Sequence, residues 1–558
     1  MVKERTLSTT TNLPLTLPII EREPAPCERA CPAGIDISRY IGYVARGKFP
    51  EATAVVRERI PFPSVCGYIC YRPCEAECRR GLWETPVAIN AIKDAAARRD
   101  DELWRKRWEA TVARPSGKRA AIVGSGPAGL TAAYYLGKRL GHDVTVFEAE
   151  PKAGGQLRIG VPPNRLPRDV LDREIKILSE VRVDIRVNYR IDDLEALMSE
   201  GFDAVFLSVG TCSPRSLDIP GEELPGVSKG VSFLKQANLG VETGKLPKLG
   251  SRVAIIGAGN VAVDCARTAI RLGASDVRIL YRRSRKEMPA YDFEMRAAEL
   301  EGTRVDFLVR PLRIEGTSDD ALRLHMERMR LLEPGADGRA AVEPVPGSDF
   351  ELSVDNVLVA IGQTPSVPDH WKLEQNADGT ISVRSGSLQT MRDGIFAGGD
   401  VVSGPQNIIE AIAHGRRAAS EIDRYLGGTG DLAEVLAPPP GEEMLYPSIH
   451  PFGKPCVAMS ELPKDERTSS FDSVLLGYTD EEAQDEALRC VRCDLWSLKG
   501  VPRVWWEHRG LRPYWYGGAD RRSRVGDEGR VQAYGPYEQR FDHAPFVPEE
   551  YSTEESTD

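Results

Sequence analysis

Eight of the eleven cysteines in this chain of 558 residues stand at spacings that suit metal ligation. Cys27 and Cys31 form a C-x3-C pair followed by Pro32. Cys66, Cys70, Cys74 and Cys78 follow at a strict spacing of four, and Cys490 and Cys493 form a C-x2-C pair near the far end. Thiolates on short loops are the usual ligands of iron–sulfur clusters, four to a cluster, so eight would complete two sites. Zinc accepts the same ligands in a purely structural role. Disulfides are the less apt reading for cysteines grouped this way in a chain without a secretory signal. The other three, Cys212, Cys265 and Cys456, are expected as small buried residues.

Between the cysteine groups lie two glycine turns, each closing an apolar strand and opening a helix. The first, AAIVGSGPAGL, holds Gly124, Gly126, Pro127, Ala128 and Gly129; the second, VAIIGAGNVAVD, holds Gly257, Gly259, Asn260, Val261 and then Ala262. In such a turn the first glycine permits the bend, the second lets backbone N–H groups reach a pyrophosphate, and the third packs helix on sheet. Two turns imply two dinucleotides face to face. Beside cysteine clusters, the pair points to a flavin that accepts hydride from a nicotinamide and releases electrons singly to iron–sulfur centres. Zinc there would leave those electrons no route out.

The elements around the turns sharpen this reading. After the first turn, Glu148 ends the strand VTVFE at the position where an acid binds a ribose hydroxyl. GGQL supplies Gly155, Gln156 and Leu157, AIGQ supplies Gly362, and GIFAGGD supplies Gly399 and Asp400, the latter expected near the ribityl or phosphate groups. A helix from Asn407 and Ile408 would aim its positive end at the flavin ring. After the second turn the strand ends in Tyr281, Arg282 and Arg283. Arginines there match a 2′-phosphate, favouring NADPH over NADH. Neither nucleotide fold holds a C-x-x-C, which argues against a dithiol relay, and no catalytic triad is evident.

Hydrophobic content of 41% and charged content of 28% belong to a globular chain of several domains. The net charge of −10 argues against a nucleic-acid binder, no apolar run would span a bilayer, and the N-terminus resembles no secretory signal, which points to the cytoplasm. The expected organisation is a helical iron–sulfur domain (1–110, with helices Ser38–Glu58 and Pro86–Trp108), then a flavin domain in two parts, 117–218 and 351–430. A nucleotide domain at 219–350 is inserted between those parts. Residues 431–558 form an extension with the Pro-rich link Ala437–Gly441 and an acidic tail. The strand VDNVLVAIGQ is assigned to the resumed first fold.

The chain resembles the small (beta) subunit of NADPH-dependent glutamate synthase and its relatives, which include the N-terminal part of dihydropyrimidine dehydrogenase. The segments that carry the likeness are APCERACPAGIDI, CGYICYRPCEAEC, GGQLRIGVPPNRLPRDVLDREI, GAGNVAVDCARTAIRLGA, YRRSRKEMPA and GIFAGGDVVSGP, between Ala25 and Leu426. The resemblance implies an α/β fold: two nested Rossmann-like, thioredoxin-reductase-like domains behind an α-helical domain with two [4Fe-4S] clusters, using FAD and usually NADPH. Relatives place a C-x-x-C pair just before the residue matching Cys27, where this chain reads PIIERE. In some relatives that pair sits in a phrase close to EALRCVRCD, here at 486–494. The implied partition is Cys27, Cys78, Cys490 and Cys493 for one cluster, and Cys31, Cys66, Cys70 and Cys74 for the other. The alternative gives Cys490 and Cys493 to a cluster shared with another subunit. Lys93 stands where relatives can place a ligating Gln or acid, and Glu294 follows a phrase near the nicotinamide side, although a surface helix charge is an equal reading.

The activity so implied is electron input to a larger oxidoreductase subunit in a hetero-oligomer. The alternatives are a self-contained NADPH:ferredoxin reductase, bifurcating or not, and a non-catalytic redox sensor. Trp496, Trp505, Trp506 and Trp515, with Tyr514 and Tyr516, suit a docking surface for the partner or packing over the iron–sulfur domain.

Overall fold

The computed structural model describes residues 24–318, 321–334, 340–439 and 453–495. The chain divides into two compact units, Pro26–Cys490 and the pair of segments Met1–Ala25 with Val491–Asp558. Of the second unit, 24–25 and 491–495 are described; it contains a 3-10 turn at Cys493–Leu495 and an Arg492–Asp494 ion pair of 2.9 Å. The aromatic segment from Trp496 onward and the acidic tail lie outside the described residues. Among the described residues no helix is long and apolar enough to cross a membrane.

The larger unit opens with short helices. Both helices expected from periodicity are broken in two. Ile37–Val44 starts on Asp36, whose carboxylate accepts from the Arg39 N–H (3.0 Å), and Gly47, at φ +67°, turns the chain before Phe49–Arg57. Ile89–Arg98 is separated from Arg105–Ala110 because Asp100 and Asp101 accept from the N–H groups of Glu102 and Leu103, each at 3.0 Å, drawing the backbone out of the helix.

Two parallel sheets follow. The first runs Ile395–Ala397, Ala204–Leu207, Arg119–Val123, Asp143–Phe147, Val183–Arg186. The second runs Val227–Lys229, Asn356–Val359, Arg252–Ile256, Asp276–Tyr281, Arg304–Phe307. Their central strands are apolar on both faces, as expected of strands covered by helices. An antiparallel sheet of Val309–Gly316, Leu322–Pro334, Ala340–Pro344 and Phe350–Val354 packs Leu322, Leu324 and Met326 against Ala254 and Ile256 of the second sheet.

The strand in VDNVLVAIGQ corrects the expected boundary. Asn356–Val359 lies in the second sheet, between Val227–Lys229 and Arg252–Ile256, and not in the resumed first fold. Asp355 pins it there: its carboxylate accepts from the Arg252 N–H at 2.8 Å and from the Arg252 guanidinium at 2.6 Å. The inserted domain therefore extends through Val359, and the first sheet resumes with Ile395–Ala397. The helical region joins the first nucleotide domain through buried Arg57, which pairs with Glu174 (3.2 Å) on the helix Arg168–Leu178 and stacks on Trp104 (4.2 Å).

Candidate functional site

Both glycine turns open into one cleft of about 1530 Å³. A single small ligand fills roughly 300–1,000 Å³, so this volume suits two dinucleotides better than one. Of the residues singled out above for nucleotide binding, all but Gly129, Ala262 and Glu294 line the cleft. Gly129 lies behind it, where a Cβ would come within 2.1 Å of the Gly124 carbonyl and 2.5 Å of Ser208 Oγ, so glycine is required for the helix to seat. At Gly126 no heavy atom lies within 4 Å of where a Cβ would stand, leaving the backbone open to a phosphate. The second turn repeats the pattern. Gly257 has φ +120° and its Cβ would strike the Ala360 carbonyl at 2.2 Å, while Gly259 faces open space up to Pro289 at 3.9 Å. Both cradles fit a pyrophosphate.

Glu148 is buried and braces the first turn: the Ser125 N–H (3.0 Å) and Glu150 N–H (2.8 Å) donate to its carboxylate, as does the Ser125 hydroxyl. A carboxylate has about four acceptor positions, so capacity for a ribose hydroxyl is left. Asp400 begins a short helix and accepts from the Gln406 N–H at 3.3 Å; burial pushes its carboxyl up to about 6. The helix Ile408–Tyr425 is capped by Asn407, which accepts from the Glu410 N–H at 3.2 Å, and its N-terminus faces the cleft. On the other side, Arg282 is exposed at the cleft, and Arg283 is tethered through Nε to the Ala340 carbonyl at 3.1 Å.

Several cleft residues lie in segments that carry the family likeness but have no role assigned from the sequence. Arg165 bridges the two nucleotide domains, donating to both oxygens of Asp264 (3.0 and 2.8 Å) and pairing with Glu294 at 2.5 Å. Burial pushes the Asp264 carboxyl up to about 6 against the pull of Arg165. Glu294 thus neither lines the cleft nor sits on the surface: it is buried between Arg165 and Arg267 (3.2 Å). Ile69 and Tyr71, on either side of Cys70, reach the same cleft. Tyr71 stacks on Tyr291 (5.5 Å), Tyr291 on Phe293 (5.8 Å), and Arg72 lies over Phe293 (4.5 Å). Burial lifts the Tyr71 hydroxyl to about 12, and it bonds the Asn407 side chain.

The cysteines gather behind that wall. Cys31, Cys66, Cys70 and Cys74 all act electrostatically on one buried side chain, Lys93. Burial works against charge on Lys93, but the four sulfurs, as thiolates, outweigh it and lift the ammonium above its ordinary value. Burial also pushes up the thiols of Cys31, Cys66, Cys74 and Cys78, a preference that a bound metal reverses by stabilising thiolates. Cys27, Cys31 and Cys74 act together on the buried Tyr40 hydroxyl. Among the described residues no three such ligands are gathered for one ion; a cubane instead spreads its thiolates over separate irons. Cys490 follows Arg489, which is wholly buried: its side chain donates to the carbonyls of Thr85 (2.6 Å), Pro86 (3.2 Å) and Lys454 (3.1 Å), and its own carbonyl accepts from Arg80. The chain before Cys490 is therefore held against the loop that follows Cys78. Of the three remaining cysteines only Cys265 is fully buried; Cys456 is half-buried, and Cys212 is exposed in the cleft beside Gln156.

Two parallel nucleotide-binding sheets sharing a cleft, with a cysteine-bearing helical domain at its edge, define an NAD(P)H-dependent oxidoreductase. The comparisons agree. A family model described as pyridine nucleotide-disulphide oxidoreductase matches residues 118–415, and the chain belongs to that family. A second, dihydropyrimidine dehydrogenase domain II, 4Fe-4S cluster, matches residues 20–103. The beta subunit of NADP(+)-dependent formate dehydrogenase from Moorella thermoacetica is 39% identical over 509 residues, 84% of this chain and 70% of its own. The NADPH-Fe(3+) oxidoreductase subunit beta of Geobacter sulfurreducens is 36% identical over 516 residues, 85% of this chain and 76% of its own. The glutamate synthase [NADPH] small chain of Escherichia coli is 33% identical over 422 residues, 72% and 88%. The chain thus combines an FAD/NADP-binding oxidoreductase domain with a 4Fe-4S domain.

Proposed function

We propose that this chain is the electron-input subunit of a larger oxidoreductase, drawing on NADPH and delivering electrons to a partner subunit. The observation that carries the reading is the joint wall of the cleft: both glycine turns and the residues flanking Cys70 line the same space. FAD, when bound, would supply the exchange between two-electron and one-electron chemistry, and the clusters the one-electron relay. The residues of the chain hold and orient. Gly124, Gly126 and the helix from Pro127 cradle one pyrophosphate, with Glu148 toward its ribose; Gly257, Gly259 and the helix from Asn260 cradle the other, with Arg282 and Arg283 toward a 2′-phosphate. Asn407 and the helix it caps present positive potential to the flavin side.

The cysteine partition belongs to the same proposal: Cys31, Cys66, Cys70 and Cys74 around Lys93 in one cluster, and Cys27, Cys78, Cys490 and Cys493 in the other. The anchoring of Arg489 beside the loop after Cys78 supports the pairing of Cys490 with Cys78. Anaerobic isolation of the native protein tests the reading. A yellow, iron-containing chain that co-purifies with a second oxidoreductase subunit and is bleached by NADPH is expected. Isolation alone, at native mass, with full activity on a ferredoxin would replace it with a self-contained reductase. Absence of both iron and flavin would sink it.

A further inference from the structure

We propose that Lys93 sets the reduction potential of the cluster held by Cys31, Cys66, Cys70 and Cys74, and so makes it the first acceptor of electrons from the cleft. The inference rests on the cluster reading above and goes beyond it.

Its basis is the way the helix Ile89–Arg98 docks on the helix Pro63–Ile69, which carries Cys66 and ends at Cys70. Asn90 Nδ2 donates to the Gly67 carbonyl at 2.6 Å, and the Asp94 Cα lies 3.0 Å from where a Gly67 Cβ would stand. A side chain at residue 67 would crowd Asp94, so glycine there favours the close approach. Lys93 lies between Asn90 and Asp94 in the chain, one residue before the closest contact, and is buried to 5% exposure. Its electrostatic partners are the thiols of Cys70, Cys66, Cys74 and Cys31. The two acids nearby feel the charge of Lys93 as well, but each also has an arginine of its own. Asp94 pairs with Arg98 at 2.7 Å, and Glu75 accepts from the Asn90 N–H at 2.9 Å and faces Arg72. The sulfur ligands are the foremost electrostatic partners of Lys93, ahead of either acid.

A buried ammonium without anionic neighbours is strongly disfavoured. Four protonated thiols supply no counter-charge, whereas four thiolates around a cluster do. Adding an electron makes such a cluster more negative, so a cation fixed at low dielectric favours the reduced form and raises the potential. Cys70 sits between the cleft-lining residues Ile69 and Tyr71, so this is the cluster on the cleft side. A raised potential at that position draws electrons off the flavin before they pass to the second cluster.

The test is an anaerobic redox titration of the full chain, followed by cluster absorbance and electron paramagnetic resonance, in wild type, Lys93→Arg and Lys93→Met. In Lys93→Met, one cluster midpoint is expected to fall, with the second unmoved and the first electron equivalents no longer entering the shifted cluster. Lys93→Arg, which keeps the charge, should titrate near wild type. Full iron content in Lys93→Met with unchanged midpoints would overturn the proposal, as would an equal shift of both clusters. Loss of iron from Lys93→Met, whether or not Lys93→Arg retains it, would assign the residue to cluster assembly instead and equally overturn it. A wild-type protein with no iron would remove the cluster reading itself, a failure distinguishable from that of Lys93.

Discussion

Replacing Arg282 with glutamine separates NADPH from NADH as substrates. Arg282 is exposed where the strand Asp276–Tyr281 meets the cleft, whereas Arg283 is partly committed through its Nε bond to the Ala340 carbonyl. Arg282 is thus the freer of the two to meet a 2′-phosphate. A hydrogen bond to a charged group contributes about 1.5–3 kcal/mol. At roughly 1.4 kcal/mol per tenfold, Arg282→Gln should lower kcat/KM for NADPH by about 10- to 150-fold. NADH has no 2′-phosphate, so its kcat/KM should hold within about twofold. The assay is the initial rate of dye reduction at limiting concentrations of each nucleotide. Because the contact is exposed, the NADPH preference of wild type should also shrink at high salt. Equal losses for both nucleotides would mean that Arg282 supports the fold of the turn and reads no phosphate. An unchanged NADPH value would refute the proposed orientation of the nucleotide altogether.

Glu148→Ala leaves the N–H groups of Ser125 and Glu150 without their carboxylate. At about 1–3 kcal/mol for a buried unsatisfied donor, the flavin-to-protein ratio after gel filtration should fall while iron content holds; retained flavin would contradict the bracing role. Arg165→Leu strands Asp264 between the two domains and leaves Glu294 with Arg267 alone. Breaking a buried pair costs about 3–5 kcal/mol, so the inserted domain should lose protection in amide exchange before the first does, and uniform protection would count against this. Tyr71→Leu removes the ring that stacks on Tyr291 beside Cys70; cluster reduction should lag behind flavin bleaching in stopped flow, and unchanged timing would show that the ring plays no part. Asp400 gives a pH signature. Its folded carboxyl holds a proton to about pH 6, whereas the unfolded one releases it near the ordinary carboxylate value. Stability therefore declines as pH rises from about 4 to about 6, by at most ~3 kcal/mol, and Asp400→Asn should flatten the melting temperature across that window.

The parts legible in the sequence are those whose constraint is local. Gly124 and Gly257 are demanded by a backbone turn, and a Cβ on Gly129 would collide with the turn five residues earlier, so the motif and its reason lie in one short phrase. The strand Asn356–Val359 was legible as a strand but not as a member of a particular sheet. Its apolar run fits either, and what assigns it is the Asp355–Arg252 contact across 103 residues. The helix breaks turn on single residues, Gly47 and Asp100, inside patterns that otherwise keep their period. Arg165 and Glu294 come together only once the insertion is folded, and periodicity says nothing of a pair 129 residues apart.

Those long-range contacts determine what the cleft can do, because its three walls come from different stretches of the chain. Arg57–Glu174 ties the cysteine-bearing helices to the first nucleotide domain, Arg165 ties that domain to the inserted one, and the Tyr71–Tyr291 stack ties the inserted domain back to the cysteine loop. The three ties form a closed ring. Opening any one leaves the other two to hold the geometry, so single substitutions should loosen the cleft without dispersing it. Loss of two should be more than additive, since the last tie cannot fix both distance and orientation. On the proposed path, electron transfer would draw on all three walls at once, whereas each glycine cradle belongs to one. Activity should therefore be more sensitive than affinity to any change in this ring.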